Sequence, residues 1–393
     1  MMKKLVSIIG VSSLSIMLAA CGDSSEENSN ENSGNYIPPS SSVVSGQFFN
    51  SNETGKYFSS EKSPHFAQYG QNARHCYQNY NDYYFESDKT MVFGNPDLPP
   101  SDFKQAASWV ENNFASALTS MGISEQEFFE QRTNITFFAL RNLRAWLYWR
   151  DINNFTYPNE FEQWNDSQKY DWATKTVKSM STDDAVNLIL SSDLHYSSRE
   201  ELIIEDKIYV CLHENNQPWG WGEGTAMGIT IGAESIVTPN NVDKIIQHEL
   251  IHTIQNVLST DFDGFKLPRW FSEGQAVYLS GMSVAKKADH NEYDPTLVVY
   301  YSDEYGDISL AYEHYALAYQ YIKDVNSQTT IITMMKNLKT LTFDYSIQLN
   351  SELDEDHNYV EVFNNHMKQQ NGSPLTVTEY RDNYHSLMSS YAN

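Results

Sequence analysis

Two histidines four residues apart, His248 and His252, flank a glutamate at position 249 in the stretch QHELIHTIQ, residues 247–255. On a helix, positions four apart project from one face about one turn along, so both imidazoles can direct nitrogens at a common point. Glu249 sits about 100° round from His248. It borders that point without needing to ligate it, where a base acting on water at a metal belongs. The flanking residues favour a helix over 241–258: Asn240 can cap it, Asp243 suits its N-terminal dipole, and Val242, Ile246, Leu250, Ile254, Val257 and Leu258 supply apolar packing. Ile245 and Ile251 extend the apolar surface, so the helix is expected to be largely buried. Two histidines and a glutamate in such a helix are costly unless something compensates them.

Zinc in hydrolases takes three protein ligands and leaves a place for water, so two histidines are an incomplete set. Glu273 is the candidate third ligand. It lies 21 positions after His252, in LPRWFSEGQAVYLSG (residues 267–281), a second helix-like segment that the intervening loop can bring back beside the first.

At these residues the sequence resembles the gluzincin metallopeptidases, whose signature is HExxH followed by a glutamate within W-x-x-E-G-x-A. The matching residues are His248, Glu249, His252, Trp270, Glu273, Gly274 and Ala276. The resemblance implies that His248, His252 and Glu273 bind Zn2+, that Glu249 is the general base, and that the substrate is a peptide or protein. AYEHYALAYQYI, residues 311–322, resembles the YEKG region of the aminopeptidase branch. That implies an oxyanion-stabilising role for Tyr312, with His314 as the substitute candidate. The G-x-M-E-N strand by which that branch recognises a free amine is absent, which favours an endopeptidase. The resemblance spans roughly residues 205–385 and is strongest over 248–281.

The elements that must position these residues are legible in part. SDFKQAASWVENNFASALTSM places Phe103, Ala106, Val110, Phe114, Ala117 and Met121 at helical spacing. Ser124–Glu127 and Ser181–Asp184 have capping-box form and mark two further helix starts. IIEDKIYVCLH and MGITIGAESIV read as strands. The second is expected to be the edge strand that, in zincins, pairs with an extended substrate backbone. Between them NNQPWGWGEGTA, residues 215–226, reads as a Gly-, Pro- and Trp-rich loop, either solvent-facing or a flap at a cleft. Helices are expected again near 308–324, at 356–370 with Gly372 as terminator, and at 376–389. The fold class expected is α+β: a zincin-like catalytic domain over 201–393, with a mixed sheet, an active-site helix and C-terminal helices, preceded by a mainly helical region over 56–200.

The first twenty residues read as an export signal, with Lys3 and Lys4 ahead of an apolar run from Leu5 to Met17. Leu18–Cys21, LAAC, resembles a bacterial lipobox, which implies cleavage before Cys21 and its acylation. Residues 21–55 then read as a disordered acidic tether, and the protein as lipid-anchored in the bacterial cell envelope, facing periplasm or exterior. No later stretch has eighteen consecutive apolar residues. Cys76 and Cys211 remain, as a disulfide in an oxidising compartment or as two buried thiols. A formal charge of −25 excludes nucleic acid as a ligand class, because so acidic a surface repels phosphate backbones. Two other functions fit the same residues: a non-catalytic surface lipoprotein using a zincin fold as a binding scaffold, or an envelope protein whose helical front region does the work.

Overall fold

The computed structural model of the chain describes residues 43–50, 83–94, 98–135, 137–192, 202–203, 206–214, 220–223, 226–231, 242–260, 267–300, 303–341 and 354–392. The export signal, Cys21, the tether as far as residue 42, Cys76, Asn240 and most of the tryptophan loop lie outside the described residues.

Six strands form one mixed sheet: β1 (Gly46–Asn50), β2 (Tyr83–Ser87), β3 (Thr90–Gly94), β4 (Ile208–Glu214), β5 (Gly220–Glu223) and β6 (Ala226–Ile231). Their spatial order is β1-β2-β3-β4-β6-β5. The β3–β4 and β4–β6 pairs are parallel, and the rest are antiparallel. The chain is mixed α+β. Alternation along the strands turns Phe85, Val92, Ile208, Val210, Leu212 and Met227 into one large core. Each such fully buried side chain contributes about 1.5–3 kcal/mol.

Against that core lie α1 (Pro100–Met121) and α2 (Glu125–Gln131), and further along the chain α6 (Val242–Ser259), α7 (Arg269–Leu279), α8 (Ile308–Val325), α9 (Gln328–Thr340), α10 (Asp354–His366), α11 (Val377–Asp382) and α12 (Tyr384–Ala392). α1 buries the six residues its periodicity singles out. It begins with Pro100 in its first turn, where no N–H is missed, and ends at Gly122 in the left-handed region, φ 77°. Ser124 and Ser181 accept hydrogen bonds from Glu127 N and Asp184 N, as helix-capping residues should.

In the chain between α2 and β4, α3 (Phe137–Trp149), α4 (Asp166–Ser179) and α5 (Thr182–Ser191) enclose a second, smaller core around Leu143, Leu147, Ala173, Val177, Val186, Ile189 and Leu202.

Four expectations differ from this arrangement. The region before residue 200, expected to be mainly helical, also holds β2 and β3, and β3 pairs with β4, so the sheet draws strands from both sides of that position. The stretch read as tether reaches too far, because Gly46–Asn50 pairs with β2 and Phe48 packs on Phe85 at 5.0 Å. β6, expected at the edge, lies between β4 and β5; the edge strand on that side of the sheet is β5, inside the stretch read as loop. Its two glycines hide it from propensity, while the antiparallel pairing with β6 supplies the backbone hydrogen bonds that hold it. Finally, α10 stops at His366, ahead of Gly372, whose φ of 83° serves a later turn, and the last helix breaks in two at Asn383.

Cys211 sits in β4, fully buried and disulfide-bonded, with its partner outside the described residues. Among the described residues no helix is long and apolar enough to cross a membrane.

Candidate metal centre

α6 runs along β5 and is buried on most sides, including Ile245, Ile246, Leu250, Ile251, Ile254, Val257 and Leu258. α1 steadies its start, where Asn113 Nδ2 donates to Asp243 Oδ1 at 3.1 Å. His248 and His252 stand one turn apart on it, rings edge to face with centroids 4.6 Å apart. Their Nε2 atoms approach to 3.0 Å. Oε2 of Glu273, from α7, lies 3.3 Å from each of them. These three atoms form a nearly equilateral triangle.

A tetrahedral zinc with bonds of about 2.0–2.1 Å spaces its ligand atoms about 3.3 Å apart, so the triangle has the right size. One orphaned atom agrees. Glu273 Oε2 is buried with no hydrogen bond, facing only the two imidazole nitrogens at 3.3 Å, and a carboxylate oxygen so placed is what a cation would satisfy. Two imidazoles and a carboxylate suit zinc and other first-row divalent ions alike. Among the described residues no other set of three His, Cys, Asp or Glu side chains converges in this way.

Charge is distributed unevenly across the cluster. Burial lowers the pKa of His248, which is therefore neutral. Burial acts on His252 in the same direction but is outweighed by the Glu273 carboxylate, aided by Glu249, which together raise it to about 9. Burial would raise Glu273; Arg269 first and His252 second hold it well below the usual carboxylate range. Glu249, 2% exposed, is pushed up to about 8 by burial, with the Glu273 charge adding to the effect. That is the direction that turns a carboxylate into a stronger base.

A hydrogen-bonded shell surrounds the cluster. His252 Nδ1 meets Gln255 Oε1 at 2.8 Å, an arrangement in which the ring donates from Nδ1 and leaves Nε2 as the ligand atom. Gln255 is itself held by Ser272 O and Gln275 Oε1, and Gln275 donates to Tyr319 OH. On the other side Arg269 Nη1 donates to Glu273 Oε1 at 2.5 Å, Arg269 Nε to Glu304 Oε1 at 2.6 Å, and Arg269 Nη2 to Tyr312 OH at 2.8 Å.

Gly274 explains how α7 comes so close to α8. A Cβ there would lie 2.2 Å from the carbonyl oxygen of Tyr315, so only glycine lets the two backbones touch. Trp270, fully buried, anchors the same helix against Tyr380, and Ala276 on that helix is buried too.

The structure therefore brings His248, Glu249, His252 and Glu273 together, and sets the Tyr312 ring parallel to His248 at 6.4 Å between centroids. Tyr312 is almost fully buried, and burial together with the Glu273 charge keeps its hydroxyl protonated. His314 is not at this centre. Two positions on from Tyr312, it faces the opposite side of α8, near Tyr293, with both ring nitrogens unpartnered and its pKa pushed down to about 4 by burial.

Sequence reasoning passed over Arg269, Gln255 and Glu304. The first two carry a local signal, since Arg269 precedes Glu273 by four and Gln255 follows His252 by three, the spacings that put side chains on one helix face. Glu304 carries none: it reaches Arg269 across 35 residues. Comparison with protein-family models, with curated proteins and with solved structures returns no match to this chain.

Proposed function

We propose that this chain is a zinc-dependent metallopeptidase of gluzincin type, a zincin-like fold that hydrolyses peptide bonds, acts as an endopeptidase, and is tethered to the bacterial envelope through a lipid on Cys21. The observation that carries this reading is the triangle of His248 Nε2, His252 Nε2 and Glu273 Oε2, with sides of 3.0, 3.3 and 3.3 Å, beside the buried carboxylate of Glu249. His248, His252 and Glu273 would hold the ion. Zinc bound there supplies Lewis acidity, polarising a scissile carbonyl and easing the deprotonation of water.

The rest of the chemistry belongs to the chain. Glu249, buried beside the three candidate ligands, accepts a proton from the attacking water and returns it to the leaving amine. Tyr312 accepts its hydrogen bond from Arg269 and so keeps its own proton to donate to the oxyanion that develops on the carbonyl, worth about 2–4 kcal/mol for such donors. β5, the edge strand nearer β6 and a neighbour of α6, offers backbone groups to an extended peptide, which gives affinity with little sequence preference. Gln255 holds the His252 tautomer.

A binding scaffold with structural zinc would use a closed set of four protein ligands, and only three converge among the described residues. The test joins metal analysis to a peptide library. The reading requires one zinc per chain, absent from His252→Ala, and cleavage that a chelator abolishes and added zinc restores. One bound zinc without cleavage of any library member would leave the scaffold function instead.

A further inference from the structure

Arg269 donates to three acceptors on three different segments. Nη1 reaches Glu273 Oε1 one turn along α7, Nη2 reaches Tyr312 OH on α8, and Nε reaches Glu304 Oε1 on the connection between those helices. That connection also holds the arginine by its backbone: Val299 O accepts from Arg269 N at 2.8 Å, and Val298 O from Trp270 N at 3.2 Å. These are two of the amide groups that a helix N-terminus leaves unpaired. The guanidinium is thus fixed from both ends, and its plane dictates where Oε1 of Glu273 sits.

A carboxylate has two equivalent oxygens and can offer either or both to a cation. Here one is taken. With Oε1 clamped at 2.5 Å, only Oε2 is left facing His248 and His252, at equal distances of 3.3 Å. We propose that Arg269 is a positioning residue for the metal centre: by clamping one carboxylate oxygen of Glu273 it presents the other alone to the two imidazoles, and so sets the affinity and coordination number of the site. This rests on the metal-binding reading above. A planar fork suits the task better than a point charge, because it meets Glu273 and Tyr312 through different nitrogens in one fixed geometry.

An ordinary buried ion pair would need the positive charge and not the fork, which makes Arg269→Lys the discriminating variant. The full chain is stripped of metal and titrated with Zn2+ against a competing chelator, and separately loaded with Co2+ to record its visible absorption. Positioning predicts that Arg269→Lys keeps most of the thermal stability of the metal-free protein but binds zinc about 10–100-fold more weakly. Its cobalt bands should also weaken, as Glu273 adds its second oxygen and coordination rises above four. Wild-type zinc affinity together with a wild-type cobalt spectrum in Arg269→Lys overturns the proposal.

Should Arg269→Lys fail to fold, Glu304→Gln serves in its place, since it loosens the Nε anchor while leaving Arg269 and its bond to Glu273. A smaller loss of zinc affinity with the same spectral trend supports the proposal, and an unchanged spectrum overturns it. Failure of the unaltered chain to bind either ion would defeat the parent reading, and is told apart because it appears before any substitution is made.

Discussion

Replacing Gly274 by alanine sets two effects of opposite sign against each other. In a helix interior alanine is favoured over glycine by about 1 kcal/mol, so propensity alone predicts a more stable protein. Packing predicts the reverse. The new Cβ would lie 2.2 Å from the Tyr315 carbonyl oxygen and 2.7 Å from its carbon, where real contacts are essentially never under 3.0 Å. The obstruction is backbone rather than a movable side-chain tip, so α7 must retreat from α8 by about 0.8 Å. Overpacking of this kind costs about 1–3 kcal/mol, which exceeds the propensity gain over most of its range.

The retreat also matters for the metal centre. Glu273 is the adjacent residue, and sites of this sort tolerate displacements of only about 0.5 Å. Gly274→Ala is therefore expected to melt a few degrees lower in the metal-free state and to bind zinc at least about 10-fold more weakly. Thermal melts with and without chelator, together with zinc competition titrations, measure both. A variant at least as stable as the parent and with unchanged zinc affinity would refute the inference that backbone contact between α7 and α8 sets the position of Glu273.

Other outcomes follow from the same geometry. Glu249→Gln should retain one zinc per chain and lose hydrolysis by at least about 10²-fold, since proton transfer contributes about 10²–10⁴; comparable turnover in the variant would remove Glu249 from its assigned role. Tyr312→Phe should keep its zinc and lower kcat by about 10²–10³, while an effect confined to KM would speak against oxyanion stabilisation. In the metal-free protein, His252 is raised to about 9 and Glu249 to about 8. Their contributions are complete below the unfolded values of about 6.5 and 4.5, and both are lost as pH rises through 8 to 9. Metal-stripped protein should thus melt lower at pH 9.5 than at pH 6.5, and the stabilisation by added zinc should grow over the same interval as the His252 proton ceases to compete. A melting temperature that rises with pH in the stripped protein would count against this.

The local half of the centre was readable from spacing. Four-residue separation is enough to align His248 with His252, because the helical repeat is a property of the backbone and needs no partner. The apolar residues around them were also enough to expect a buried helix, and α6 is buried as expected. The helical spacing that marks α1 and the serine caps of α2 and α5 are local signals of the same kind, and they survive folding unchanged. Where the reading departs from the structure, the missing information was non-local. β5 and β1 are strands because a neighbour pairs with them, which glycine content and polar flanks do not announce. His314 stood as the substitute for Tyr312 until the orientation of α8 set Tyr312 beside His248 and His314 beside Tyr293.

The sequence by itself determined the chemical inventory and its helical phasing: two imidazoles on one face with a carboxylate beside them, and a second helix with an arginine one turn before its glutamate. Tertiary structure decided which of these meet. It brought Glu273 Oε2 to within 3.3 Å of both imidazoles, set Glu304 on Arg269, and placed β5 alongside α6. The reason is physical: side-chain direction within a helix follows from its own repeat, whereas the approach of two helices depends on what fills or, as at Gly274, leaves open the space between them.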